Sequence, residues 1–297
     1  MVLAESQFQL GEVVFGRGCP IEVIDVDWGS PDLEASDVES ETRDGVVFGR
    51  DTTGGSTLVL ELMTNGQHAS EALSAWSALS SAWNDPTWRR TPRAVTPLRL
   101  RSWGGPPLVV YGRPRAWKPA NTQAILSGVT AHAAEFRTAD AVFYDDVEQE
   151  RVLSMVVDLG GGVTYPIAYP ARYAPVSTAN SHALAVGGDR ATWPVVTIAG
   201  PITNPSIAFL STGVRMRVVT TLSHTQTLVI DPRPWAQTVR RSDGANLRGA
   251  ASPVPMSALA LPSGASTVVQ FTGQDPTGTA TCTIRWRDAY TTPGGAA

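Results

Sequence analysis

The chain has 297 residues, 42% hydrophobic and 17% charged, which is enough apolar material for two compact domains and excludes a disordered chain. Its 27 glycines and 22 prolines, with only 7% aromatics and short apolar runs, leave no room for long helices but suit many strands joined by turns; no run approaches the ~18 apolar residues of a membrane span, so no membrane partner is expected. A net charge of −4 invites neither nucleic acid nor an anionic bilayer, and an N-terminus with no positive flank before an apolar stretch does not read as a secretory signal, so synthesis in a cytoplasm is expected.

Along the chain, Met1 to Glu61 carries thirteen acidic residues against three arginines, Arg17, Arg43 and Arg50. Thr57 to Met63 alternates, sending Leu58, Leu60 and Leu62 to one face of a strand. Ala69 to Trp83 breaks this period: Ala72, Trp76, Leu79 and Trp83 follow helical spacing, and Asn84-Asp85-Pro86 stops the helix, which is expected to lie on a sheet and to be the only substantial one. Between Arg89 and Lys118 there are eight cationic residues and no acidic one, and Lys118 is the only lysine in the chain. Within that stretch Leu98 and Leu100 alternate with Arg99 and Arg101, so part of the basic patch is the solvent or interface face of a strand. Ala131 to Tyr144 reads as a closing strand and a turn.

The polar run after Tyr144 marks a domain boundary near Glu148, giving domains over 1–148 and 149–290 and a flexible tail over 291–297. In the second domain Val214, Met216 and Val218 alternate with Arg215 and Arg217. Ala280, Cys282, Ile284 and Trp286 alternate with Thr281, Thr283, Arg285 and Arg287, the pattern of a half-buried antiparallel strand.

No motif carries chemistry. His68, His132, His182 and His224 are scattered without metal-ligand spacing. Gly160-Gly161-Gly162 lacks the lysine of a phosphate loop and reads as a turn or bulge, and no serine has both flanking glycines of a nucleophile elbow. Cys19 and Cys282 fit neither a zinc site nor a disulfide framework and read as small buried hydrophobes. Neither catalysis nor a cofactor is expected. The opposed charge blocks instead suggest head-to-tail self-association, with Asp44 and Asp51 on one surface and Arg99 and Arg101 on the other, because arginine suits bidentate pairing and heterologous contacts close into rings.

Two groups of segments carry a resemblance. Trp28-Gly29-Ser30-Pro31-Asp32, followed by Arg43-Asp44-Gly45-Val46-Val47-Phe48-Gly49-Arg50-Asp51 and the leucine strand, resembles the opening of minor tail proteins of long-tailed actinobacterial phages, the siphovirus group related to the distal tail protein. Trp193 to Ile207, with its Gly200-Pro201 and Asn204-Pro205, and Leu259 to Gly264 followed by Val268 to Phe271, resemble the C-terminal domain of that family. The resemblance implies a mainly β fold of two β-sandwich domains, the first with one short α-helix and the second galectin-like. It also implies a ring of six copies in the virion, joining the tail tube protein to tail-tip or baseplate hub proteins, with the galectin-like domain outside and DNA passing through the channel only as cargo. The alternative that the resemblance leaves open is a carbohydrate-binding host-adsorption module, with Trp193 or Trp235 stacking on a sugar.

Overall fold

The computed structural model describes residues 2–39, 44–65, 69–121, 128–155, 180–275 and 277–295. His68 and the Gly160-Gly161-Gly162 turn lie outside these. The fold is mainly β, and the chain divides into two units, Met1–Asp146 with Ala289–Ala297, and Val147–Asp288.

The first unit contains β1 (Gln7–Leu10), β2 (Val13–Gly16), β3 (Ile21–Asp27), β4 (Leu33–Glu34), β5 (Val38–Glu39), β6 (Val46–Val47), β7 (Thr52–Thr53) and β8 (Thr57–Asn65). The helices α1 (Ala69–Trp83) and α2 (Pro86–Arg90) follow, then β9 (Thr96–Arg101), β10 (Pro107–Asn121), β11 (Val129–Thr138) and β12 (Phe143–Asp145). Seven strands form one continuous antiparallel sheet in the order β2-β1-β9-β10-β11-β8-β3, with β12 joined through β10. Strand alternation decides which side meets the core: Leu58, Leu60, Leu62, Leu98, Leu100 and Phe136 are all buried, together with Phe8 and Phe15. Each such side chain contributes about 1.5–3 kcal/mol by leaving water, so these inward rows hold the unit together.

Helix α1 lies on this core through Ala72, Leu79 and Trp83, and the Trp83 indole N–H donates to the Ala116 carbonyl at 3.1 Å. Its fourth stripe residue, Trp76, is only half-buried. The Asn84-Asp85-Pro86 stop also starts α2, a short helix that periodicity alone does not reveal. Asp85 caps it, accepting from the Thr87 N–H at 2.8 Å, and these hydrogen bonds hold its carboxyl below the usual range; Pro86 fills the first turn, where a missing N–H costs nothing.

The second unit contains β13 (Gln149–Ser154), β14 (Ser181–Val186), β15 (Val195–Ala199), β16 (Ile202–Phe209), β17 (Val214–Arg217), β18 (Thr221–Leu222), β19 (Thr227–Asp231), β20 (Thr238–Arg241), β21 (Ala265–Gln274) and β22 (Thr281–Trp286). Its two five-stranded sheets run β13-β22-β15-β19-β20 and β14-β21-β16-β17 with β18 on β16. They share a core of Ile198, Phe209, Met216, Leu228, Phe271, Cys282, Ile284 and Trp286. Burial pushes the Cys282 thiol up to about 12, so it packs as a hydrophobe. Between the sheets the Gly200–Pro201 peptide is cis and Asn204 takes φ +52°, in the segment that carried the family resemblance.

One expectation is corrected. The residues after Asp288 do not close the second domain and trail off. β23 (Ala289–Tyr290) pairs with β12, and the Ser102 hydroxyl donates to the Pro293 carbonyl at 2.7 Å, so the end of the chain belongs to the first unit. Small residues signal a lack of regular structure, but composition does not show where their backbone groups find partners.

Candidate assembly surface

Between β3 and β8 the chain leaves the sheet as a hairpin arm. Both roots are glycines for a steric reason: Gly29 has φ +62° and a Cβ there would sit 2.3 Å from the Thr57 carbonyl, while one on Gly55 would sit 2.1 Å from that of Thr138. The Gly54 N–H donates to the Asp32 carbonyl at 2.7 Å, and Asp32 pairs with Arg137 of β11, which ties the root to the sheet. Beyond it β4 pairs with β7 and β5 with β6, and the Gly49 N–H donates to the Asp37 carboxylate at 3.0 Å.

Every described residue from 30 to 54 is exposed, including Asp44 and Asp51. Leu33, Val38, Val46 and Val47 face solvent, and Phe48 is 83% exposed. A two-stranded hairpin is marginal in water on its own, and clustered apolar side chains on such an element mark a contact surface. The arm also concentrates charge, with seven acidic residues against two arginines between Asp32 and Asp51.

The basic stretch behaves differently. Arg99 forms a two-pronged pair with Asp146, its Nε 2.7 Å from Oδ1, and its Nη1 donates to Gln9 at 2.7 Å. Arg101 donates to the carbonyls of Leu3 and Gly105, each at 3.2 Å. Arg113 donates to the Thr91 carbonyl at 2.9 Å, and Lys118 pairs with Glu135 at 2.8 Å. The structure therefore does not bring Arg99 or Arg101 to Asp44 or Asp51 within one subunit. Arg99 is committed to Asp146, whereas Arg101 also borders a groove.

That groove, about 400 Å³, runs between β3 and the ends of β1 and β9; it is lined by the apolar Phe8, Val23, Ile24, Val26, Trp28 and Trp103 together with the polar Ser6, Asp25, Arg101 and Ser102. A register shift in the β3–β8 pairing between Val23 and Asp25 accompanies the exposure of Ile24, 56% accessible. Trp103 is 72% exposed, and the Arg17 guanidinium lies 4.8 Å over its ring. β3 is also the last strand of the sheet order.

The remaining sequence candidates lie elsewhere. His132 is buried between Trp76, 5.0 Å away, and Trp117, 5.3 Å away; its Nε2 is 2.5 Å from the Thr130 hydroxyl and its Nδ1 has no hydrogen-bond partner. Burial pushes its pKa down, so the ring stays neutral as a core histidine. Among the described residues no group of histidine, cysteine and carboxylate side chains could hold a metal ion, and no helix is long and apolar enough to cross a membrane. In the second unit Trp193 and Trp235 are both half-buried, and Arg233 lies 5.4 Å over the Trp235 ring while its Nη2 donates to Asp231 at 2.6 Å.

The sequence marks the arm only as part of the acidic block from Met1 to Glu61 and shows neither the hairpin nor the groove. The usable signal was the apolar Val46-Val47-Phe48 held between Gly45 and Gly49 within an acidic run.

The fold and this surface define a class: a two-unit, mainly β protein with a helix-backed sheet and a projecting arm. Solved structures with a similar fold come from phage adsorption-hub and baseplate proteins. The fold matches the crystal structure of the SPP1 Dit protein, described as a paradigm of the hub adsorption apparatus in phages infecting Gram-positive bacteria, over 91% of this chain and 93% of that one, at 14% identity and a TM-score of 0.54. It also matches the phage P2 baseplate in its activated conformation, over 94% of this chain and 97% of that chain, at 11% identity, with TM-scores of 0.52 for the calcium form and 0.51 for the strontium form. A comparison with protein-family models and one with curated proteins return no match.

Proposed function

We propose that this chain is a structural protein of a phage tail, of the distal tail type, made in the host cytoplasm and built into the virion. Its first unit assembles head-to-tail into a ring of six copies between the tail tube protein and the tip or baseplate hub proteins, with DNA passing through the channel. It makes and breaks no bond. The observation that carries this reading is the fold likeness to the Dit and baseplate proteins, which extends over more than nine-tenths of both chains and therefore takes in both units. The exposed arm supports it, because a ring subunit must present two different complementary surfaces and cannot satisfy them by itself.

Purified full-length chain should run in solution as a closed oligomer of defined mass, checked by light scattering coupled to size exclusion. A monomer at every accessible concentration would refute the ring. Carbohydrate binding by the second unit is the weaker alternative, since Arg233 already covers one face of the Trp235 ring. A glycan array probed with the full chain distinguishes the two.

A further inference from the structure

Building on the ring reading, we infer that the arm of one subunit docks into the groove beside β3 of the next, with Phe48 seated between Trp28 and Trp103. Four observations lead there. Phe48 is the most exposed large hydrophobic side chain of the arm and has no cover from its own subunit. The groove is lined by aromatic and aliphatic side chains, and its volume of about 400 Å³ accepts a phenyl ring with a flanking valine.

The charges are also complementary. The arm is acidic, with Glu39, Asp44 and Asp51 around its apolar residues, whereas Arg17 and Arg101 stand on the Trp103 side of the groove. The β3 side carries Asp25, which offers a counter-charge for Arg50 of the incoming arm. Finally, none of the described arm residues between 30 and 54 lines the groove of its own subunit, so arm and groove are two distinct surfaces. A contact between them is heterologous and propagates from copy to copy until it closes. Electrostatic complementarity then sets the direction of approach while the buried apolar surface supplies the affinity.

The test is a crosslink in the full chain. In a Cys19→Ser background, with Cys282 inert in the core, Phe48→Cys is combined with Ile24→Cys and the protein is oxidised. The double variant should give a ladder of covalent oligomers ending at the ring, whereas each single variant should give no ladder beyond dimers. Separately, Phe48→Ala should weaken association about 10- to 100-fold, the equivalent of exposing one phenyl group, and Phe48→Asp should leave monomers whose thermal midpoint matches the parent, since the side chain packs on nothing in its own subunit. If the parent forms oligomers but the double variant gives no ladder and Phe48→Asp assembles normally, the arm docks elsewhere and this inference falls while the ring stands. If the parent is monomeric throughout, both fall together.

Discussion

Strand β9 and the hairpin arm are the two charged regions of the first unit, and they use charge in opposite ways. On β9 the arginines alternate with Leu98 and Leu100, whose side chains are fully buried; the Arg99 guanidinium is spent inside the subunit on Asp146 and Gln9, and Arg101 donates to the carbonyls of Leu3 and Gly105 while its charge borders the groove. On the arm the carboxylates sit beside exposed valines and Phe48, with no core face beneath them. A block of like charge in a sequence therefore gives a sign but not a partner. What separates the two is the alternating apolar row: where it is present, the charged residues flank a core and find partners at its edge; where it is absent, the segment stands free.

The largest effect that would break this contrast concerns β9. Leu100→Ala should cost the first unit about 2–5 kcal/mol, as for other buried leucines, whereas Val47→Ala on the arm should stay within about 0.5 kcal/mol; urea unfolding of the two variants checks this. Equal losses would mean that the arm packs on its own subunit after all.

Next in size is the internal pair. Arg99→Glu sets two carboxylates against each other and should destabilise the unit by about 1–3 kcal/mol, because Asp146 is left partly buried without its partner. A variant as stable as the parent but impaired in assembly would instead put Arg99 at the subunit interface.

A third test uses pH. His132 is held neutral in the fold, whereas in the unfolded chain it takes up a proton near pH 6.5. Since its folded pKa lies below its unfolded value, its contribution to stability is intact above about pH 6.5 and is lost as pH falls towards the folded pKa, at no more than ~1.4 kcal/mol per pH unit. His132→Gln should flatten that slope, measured as the urea midpoint against pH, and should leave the arm's association unchanged. An unaltered slope would mean that other groups dominate acid sensitivity.

The smallest effect belongs to the arm's charges. Asp44→Asn with Asp51→Asn should leave stability unchanged and slow association several-fold at low salt, with the parent falling to the same rate as salt passes about 0.15 M, where screening reaches ~8 Å. A parent insensitive to salt would remove charge from the assembly argument.

Much of this fold was legible in the sequence because period-two alternation is a direct consequence of strand geometry. The rows at Leu58 to Leu62, Leu98 to Leu100, Val214 to Val218 and Ala280 to Trp286 all face cores, and the helix spans Ala69–Trp83 as the spacing of its stripe requires. The arm was not legible, since its strands are only two residues long and bury nothing, which leaves no periodicity to read. The groove was hidden for another reason: Phe8, Ile24 and Trp103 come together only through the sheet order, which no local pattern encodes. The return of Ala289–Tyr290 to β12 is likewise a long-range pairing.

The most direct test of the central claim, head-to-tail assembly of the first unit, is the native mass of the full-length chain in low salt. A single species of about six times the 31.5 kDa subunit mass is expected, replaced by monomers on Phe48→Asp. A parent that remains at the subunit mass at all concentrations and salt levels would contradict it.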